Sequence, residues 1–353
     1  MEFSIHAPSD PRSAAENAKF AEERGFDQIW FTDYPMSFGD VFVCLAIAAQ
    51  TTERIRLGAG VAAASNRIAP VTVSSIATIN ALSQGRAVLG FGSGTRSALG
   101  LAPLSISDLK GQLRTIRALL DNGAADYEER GGGRAKIRFL HREREFMKLD
   151  PPIPLYVAAS APKMAALAGE FGDGLISGGI SPTPEAIAEL LVHFADGARI
   201  AERSSAPRSL VLDVPVCVLR LADSFNAPRV ISRMGFSVLM HFRLCALGLV
   251  DTATLPAGIE RMAEIYKSSF AEVPHEEQHL AVWERHHTLA SGERRYVTPE
   301  AIKFFTLCGA RGDLISRIKA LEQAGVTEIA VSTSLDDFRE TVEEISRELI
   351  GRV

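Results

Sequence analysis

The chain has 353 residues, 46% apolar and 23% charged, with 38 basic against 43 acidic side chains and a formal charge of −5. That length and apolar content exclude a disordered chain, a collagen or coiled-coil fibre and a disulfide mini-protein. The acidic balance argues against a nucleic-acid protein. The apolar stretch from Phe236 to Val250 is broken by His241 and Arg243, so no run reaches the roughly 20 residues of a spanning helix.

Two hydrophobic periods alternate along the first part of the chain. Phe3 to Ala7 is a short apolar run, and Asp10-Pro11 opens an amphipathic stretch to Arg24, closed by Gly25. Phe26–Thr32, Ile55–Val61 and Ala87–Phe91 read as strands, followed by helices over Asp40–Gln50, Pro70–Leu82 and Pro103–Leu120. Further strands are expected at Ile153–Ala158, Gly174–Ser177, Leu210–Leu221 and Val326–Ser332, with helices over Pro162–Glu170, Pro182–Arg203 and Leu335–Ile350. Apolar strands separated by helices predict a parallel sheet covered by helices, and eight of them favour a closed (β/α)₈ TIM barrel over an open sheet.

A single domain over residues 1–353 is expected, but a barrel needs only about 250 residues. Two insertions supply the excess. Ala125–Lys148 is charged, carries Gly131-Gly132-Gly133 and reads as a hairpin or loop; Asn226–Thr298 is mostly helical and holds the densest histidine cluster. The second insertion is either a lid over the strand ends or a subunit interface. Cys44, Cys217, Cys245 and Cys308 lie far apart and read as small buried hydrophobes in a reducing cytoplasm. Met1-Glu2-Phe3-Ser4 does not start a secretory signal, which also predicts a cytoplasmic protein.

The run Gly90-Phe91-Gly92-Ser93-Gly94 fails the dinucleotide fingerprint in both registers, at Thr95 and Ser97. It remains either a tight turn or a place where backbone N–H groups meet a ligand. His275-Glu276-Glu277-Gln278-His279 matches HExxH. On a helix that spacing would offer two imidazoles to zinc, with Glu276 as general base and Glu284, His286 or His287 as third ligand. The longer metzincin pattern fails at Val282 and Arg285, and Pro274 directly precedes the run, so a solvated helix face is the favoured reading. His6 sits at the end of strand 1, Asp33 at the end of strand 2 and Asn66-Arg67 just beyond strand 3, so they converge on one rim of a parallel barrel. There His6 is either a proton-exchanging imidazole or a hydrogen-bonded core histidine, and Asp33 either a site residue or a cap. No nucleophile elbow, Walker lysine or glycosidase carboxylate pair is present.

The segments AKFAEERGFDQIWFTDYP (18–35), TERIRLGAGVAAASNRIAP (52–70), ATINALSQGRAVLGFGSG (77–94), IPLYVAASAPKMAALAGEFGDGLISGG (153–179) and GARGDLISRIKALEQAGVTEIAVS (309–332) resemble the bacterial luciferase-like superfamily. Within it the coenzyme F420-dependent branch, especially methylenetetrahydromethanopterin reductase-like proteins, is the most similar. The resemblance implies a TIM barrel holding a flavin-like ring at the strand C-termini. It implies that Gly60-Val61-Ala62 forms a bulge, often with a non-prolyl cis peptide, backing the ring, and that Gly92 and Gly94 flank the ring. It also implies that Ser160-Ala161 and Gly178-Gly179 cradle the cofactor phosphate, and that Asp33 holds the ring's polar edge. Three departures stand out: His6 and Thr95-Arg96 each stand where the methanopterin reductases carry a carboxylate, and Tyr34 replaces a histidine of the sugar-phosphate dehydrogenases. Neither substrate carries over. Arg96, with Asn66 and Arg67, is expected near a cofactor or substrate tail, or in the case of Arg96 at the surface.

The expected activity is an oxidoreductase moving a hydride between coenzyme F420 and a small organic substrate, with His6 moving the proton. The alternative is an FMN-dependent monooxygenase supplied by a separate flavin reductase. More remote are a zinc hydrolase at His275 and His279, and an inert flavin-binding barrel. A homodimer is expected; nucleic-acid and membrane partners are not.

Overall fold

The computed structural model describes residues 1–94, 96–129, 132–203, 209–270, 272–285 and 287–353. The apolar runs become strands that pair only in parallel, each followed by a helix that returns the chain to the same end. In order these are β1 (Glu2–Ala7), α1 (Ala14–Glu23), β2 (Gln28–Phe31), α2 (Val41–Thr51), β3 (Arg56–Ala63), α3 (Ala69–Leu82), β4 (Ala87–Gly92) and α4 (Ile106–Asn122). After a short antiparallel hairpin, β5 (Ala124–Glu128) and β6 (Arg134–Arg138), come β7 (Leu155–Ala158), α5 (Pro162–Phe171), β8 (Gly174–Gly178), α6 (Pro184–Ile200) and β9 (Ser209–Val218). The chain then runs through α7 (Pro228–Ala246), α8 (Ala257–Ser268), α9 (Gln278–Trp283), α10 (Pro299–Phe305), β10 (Leu307–Gly309), α11 (Arg311–Gln323), β11 (Glu328–Ser332) and α12 (Phe338–Glu348).

Strands β1, β2, β3, β4, β7, β8, β9 and β11 pair in that order, and β11 returns to β1, so the sheet closes as the expected eight-stranded barrel. The seventh strand stops short of its predicted end. It finishes at Val218, where Arg220 N–H bonds the Asp223 carboxylate, and Leu221 lies fully in solvent. The end of β9 also carries β10, a ninth strand pairing Cys308 with Cys217. Helices α7 to α10 pack around their own apolar core of Val230, Val238, Phe242, Ile259, Tyr266 and Ile302.

Inside the barrel, period-2 alternation sends Trp30, Val88, Tyr156, Ile176, Val211 and Ala330 to one interior cluster. Trp30 is the largest side chain in that cluster and is fully buried. Gly58 is required opposite it, because a Cβ there would lie 2.2 Å from Trp30 Cε3. Its indole N–H donates to Glu328 Oε1 at 3.0 Å, an oxygen that also accepts from the Ser4 hydroxyl, while Arg56 pairs with Glu328 Oε2 at 3.3 Å. Burial pushes the Glu328 carboxyl above its usual range, against Ser4, Arg56 and Trp30, which pull it down.

A buried donor left unpaired costs about 1–3 kcal/mol, and a charged one more. Glu328→Leu is therefore expected to lower unfolding stability by roughly 3 kcal/mol, while Glu328→Gln, which keeps an acceptor for Trp30, loses less. Urea denaturation of the full chain checks the order; equal losses would contradict it.

Candidate active site at the strand C-termini

His6, one residue before the end of β1, turns its side chain into the barrel mouth and is 11% exposed. Its ring lies nearly parallel to Trp30, with centroids 6.3 Å apart and an 18° interplanar angle. Nε2 is buried without a hydrogen-bond partner, and faces Asp213 Oδ2 at 3.7 Å. Asp213 sits on β9, and its other oxygen accepts from the Ser332 hydroxyl of β11. No sequence motif had singled it out, though a lone carboxylate inside the apolar run LVLDVPVCV was a visible signal.

Asp33, just past β2, is buried and held from two sides. Its Oδ2 accepts the Ala63 N–H at 2.9 Å and Arg67 Nη1 at 2.9 Å, and its carbonyl accepts from Asn66 Nδ2 at 3.4 Å. Arg67 also pairs with Asp40, the residue whose carboxylate caps α2 through Phe42 N–H at 2.8 Å. The guanidinium thus bridges two carboxylates. This clamp grips the end of β3, where the register shifts between Ala59 and Ala62 and Gly60–Val61 is a non-prolyl cis peptide. A Cβ at Gly60 would come within 2.8 Å of Trp30 Cβ and 3.0 Å of His6 Cε1.

Gly92 closes β4 against Ala158, and Gly94 has φ +71°. Arg96 begins a short 3₁₀ turn and donates from Nε to the Ala102 carbonyl at 2.6 Å; Thr95 lies outside the described residues. Ser160 Oγ donates to the Gly178 carbonyl at 2.6 Å, joining the loops after β7 and β8 beside Ala161, the N-cap of α5. Gly179 has φ +73° and meets His241 of α7, whose imidazole burial holds below its ordinary range. The rim therefore combines one imidazole nitrogen without a hydrogen bond, a braced carboxylate and loops of small residues, features that fit a planar ring with an anionic tail.

A family model described as luciferase-like monooxygenase matches residues 2–328. The chain belongs to this family. Among luciferase-like relatives, the 5,10-methylenetetrahydromethanopterin reductase of Methanolobus tindarius is 29% identical over 371 residues, covering 99% of this chain and all of the relative. The F420-dependent tetrahydromethanopterin reductase structure of Methanopyrus kandleri superposes with a TM-score of 0.69 at 22% identity, over 99% and 98% of the two chains. The oxygenating constituent of the FMN-bound 3,6-diketocamphane monooxygenase of Pseudomonas putida superposes at 0.62 and 14%, over 99% and 98%. The fold is thus common to deazaflavin and flavin enzymes of the luciferase-like barrel.

The helical excursion brings aromatic groups over the rim of the luciferase-like barrel. Tyr34 packs against Phe38, Trp283 and His287, with centroids 6.1–6.5 Å apart, and His287 stacks on Phe236 at 5.6 Å. A void of about 10 Å³ remains between His6, Thr32, Phe38, His287 and Thr333. Burial, and secondly the Asp213 charge, push the Tyr34 phenol up to about 12, so it keeps its proton. Arg243, fully buried on α7, pairs with Glu293 at 3.0 Å and donates to the Arg285 carbonyl at 2.6 Å, fixing the turn just before this cover. The HExxH run does not form the expected helix face. His275 starts a 3₁₀ turn, His279 lies in α9 against Gly100, and no metal-holding group of three occurs among the described residues. His286 lies outside those residues.

Burial lowers the His287 pKa to about 4, with Thr333 and Asp213 acting in the other direction and His6 adding to the lowering. The unfolded imidazole takes a proton near 6.5, so stability is full above that pH and falls as the pH drops toward 4. The loss is on the order of 3 kcal/mol. His287→Asn, which tolerates the left-handed φ of +60° at this position, is expected to flatten that slope in thermal melts between pH 7 and 4. An unchanged slope would contradict the assignment.

Proposed function

We propose that the protein is a coenzyme F420-dependent oxidoreductase moving a hydride to or from a small organic substrate. The single observation that carries this reading is the His6 imidazole at the barrel mouth, its Nε2 facing Asp213 without a hydrogen bond, beside the glycine-lined bulge of β3. Similarity over nearly the full length to an F420-linked reductase supports it.

When bound, the deazaflavin supplies a two-electron hydride donor or acceptor. Everything else falls to the chain. Gly60, Val61 and Ala62 back the ring, Gly92 and Gly94 flank it, and Asp33 holds the polar edge of the bulge through Ala63. Backbone N–H groups of Ser160, Ala161, Gly178 and Gly179, with the start of α5, receive the phosphodiester, as helix N-termini favour anions. Arg67, held by Asp33 and Asp40, acts together with Asn66 as the brace of that edge, and Arg96 serves the anionic tail. His6 carries the proton that accompanies the hydride. Tyr34, protonated throughout the neutral range, helps exclude water with Phe38 and His287.

The family description and the FMN-bound neighbour favour a second reading, an FMN-dependent monooxygenase fed by a separate flavin reductase. In either case we assign the whole chain to one barrel domain, with residues 125–148 and 226–298 as excursions, working as a cytoplasmic homodimer. Among the described residues no helix is long and apolar enough to cross a membrane.

Fluorescence titration with F420 and separately with FMN distinguishes the readings. Tighter F420 binding is expected; a preference for FMN would transfer the proposal to the monooxygenase, and binding of neither would overturn both. His6→Ala is expected to lower turnover by roughly 10²-fold or more, the usual worth of a positioned acid–base group, with F420 affinity nearly unchanged. A rate equal to wild type would remove His6 from the chemistry.

A further inference from the structure

Asp213 is the only charged residue of β9, and it stands at the rim rather than at the helix-facing side. Its strand neighbours make room for it: Gly178 on β8 would bring a Cβ within 3.3 Å of Oδ2. The two carboxylate oxygens face different partners. Oδ1 accepts from the Ser332 hydroxyl, which orients the group, and Oδ2 faces His6 Nε2 at 3.7 Å. That separation exceeds a hydrogen bond, but contacts of this kind are often long before substrate binds and shorten in the complex.

The His6 ring has little freedom otherwise. Trp30 lies along one face, and the absent side chain of Gly60 leaves Cε1 3.0 Å from where a Cβ would sit. What stacking cannot decide is which ring nitrogen carries the proton. A carboxylate facing one nitrogen fixes the tautomer, because it accepts N–H and repels a lone pair.

We propose that Asp213 is the positioning residue for His6, anchored by Ser332, and that it holds the imidazole as the Nε2–H tautomer with the Nδ1 lone pair free to take the proton. The inference rests on the reading of His6 as the proton carrier and names the group that makes it one. In the oxidising direction a bound deazaflavin would accept the hydride from the substrate carbon, and Nδ1 would take the proton from the adjoining heteroatom. Asp213 then faces the imidazolium it has stabilised. In the reducing direction both transfers reverse.

Long-range ¹H–¹⁵N imidazole correlation spectra of the ¹⁵N-labelled full chain, with His6 assigned by His6→Asn, read the tautomer directly. At pH 8 the wild type is expected to show the Nε2–H form, and Asp213→Ala both forms. Asp213→Asn, whose one oxygen stays with Ser332 and whose amide N–H2 then faces Nε2, is expected to move the imidazole to the Nδ1–H form. If Asp213→Ala does not fold, Ser332→Ala replaces it, with a partial shift of at least twofold in tautomer ratio expected. An Nδ1–H form in the wild type, or a ratio unchanged in the folded Ala variant, would overturn the proposal. F420 titration of the same wild-type sample keeps the two claims apart: failure to bind counts against the F420 reading, while the tautomer alone decides Asp213.

Discussion

Burial of the Trp30 indole inside the barrel is the constraint on which the rest of the site depends. A ring of that size removes on the order of 200 Å² from water, worth about 5 kcal/mol at the usual coefficient. Its placement demands Gly58 on the next strand and brings a polar N–H into an apolar interior, which Glu328 and Ser4 satisfy. One edge of the indole thus ties to the strand N-termini, and one face supports His6 at the opposite end. A substitution that shifted the indole would move the imidazole with it.

Below Trp30 the charged groups are paired with one another: Glu328 with Arg56, and Arg56 also with Glu2. Above it the same kinds of group are arranged differently. Asp33 and Arg67 brace backbone, Asp213 faces an imidazole, and His6 Nε2 has no hydrogen-bond partner at all. Closed ion pairs at one end, and an imidazole that faces a carboxylate without a hydrogen bond at the other, are the asymmetry expected of a barrel whose chemistry lies at the strand C-termini. The second helical core is attached through β9 and β10, and its buried Arg243–Glu293 pair aims the His287 turn at that same end.

Much of the architecture was readable from residue patterns. Fully apolar strands and helices of ten or more residues are strong periodic signals, and the eight barrel strands lie where those runs predicted. The rim residues His6 and Asp33 follow from strand ends alone. Boundaries were less legible: Leu221 is apolar and extends the seventh run on paper, yet the turn held by Asp223 ends the strand three residues earlier. β10 is only three residues long, too short to carry a period of its own. Asp213 was masked by its apolar neighbours, since a run scored as buried strand draws attention away from the one carboxylate within it. His287 belongs to the mouth through tertiary packing of a distant segment, which no local pattern reports. The HExxH run shows the converse, a motif whose spacing means nothing once a 3₁₀ turn replaces the helix.

The central claim is that the open imidazole of His6 and the β3 bulge form one face of a deazaflavin site. The most direct measurement is a crystal structure of the protein with F420 bound. The ring is expected at the barrel mouth against Gly60–Val61, with the phosphodiester at Ser160–Ala161 and Gly178–Gly179 and His6 lining the remaining space. A cofactor bound outside the mouth, or a ring separated from His6 by the aromatic cover of Tyr34 and His287, would contradict it.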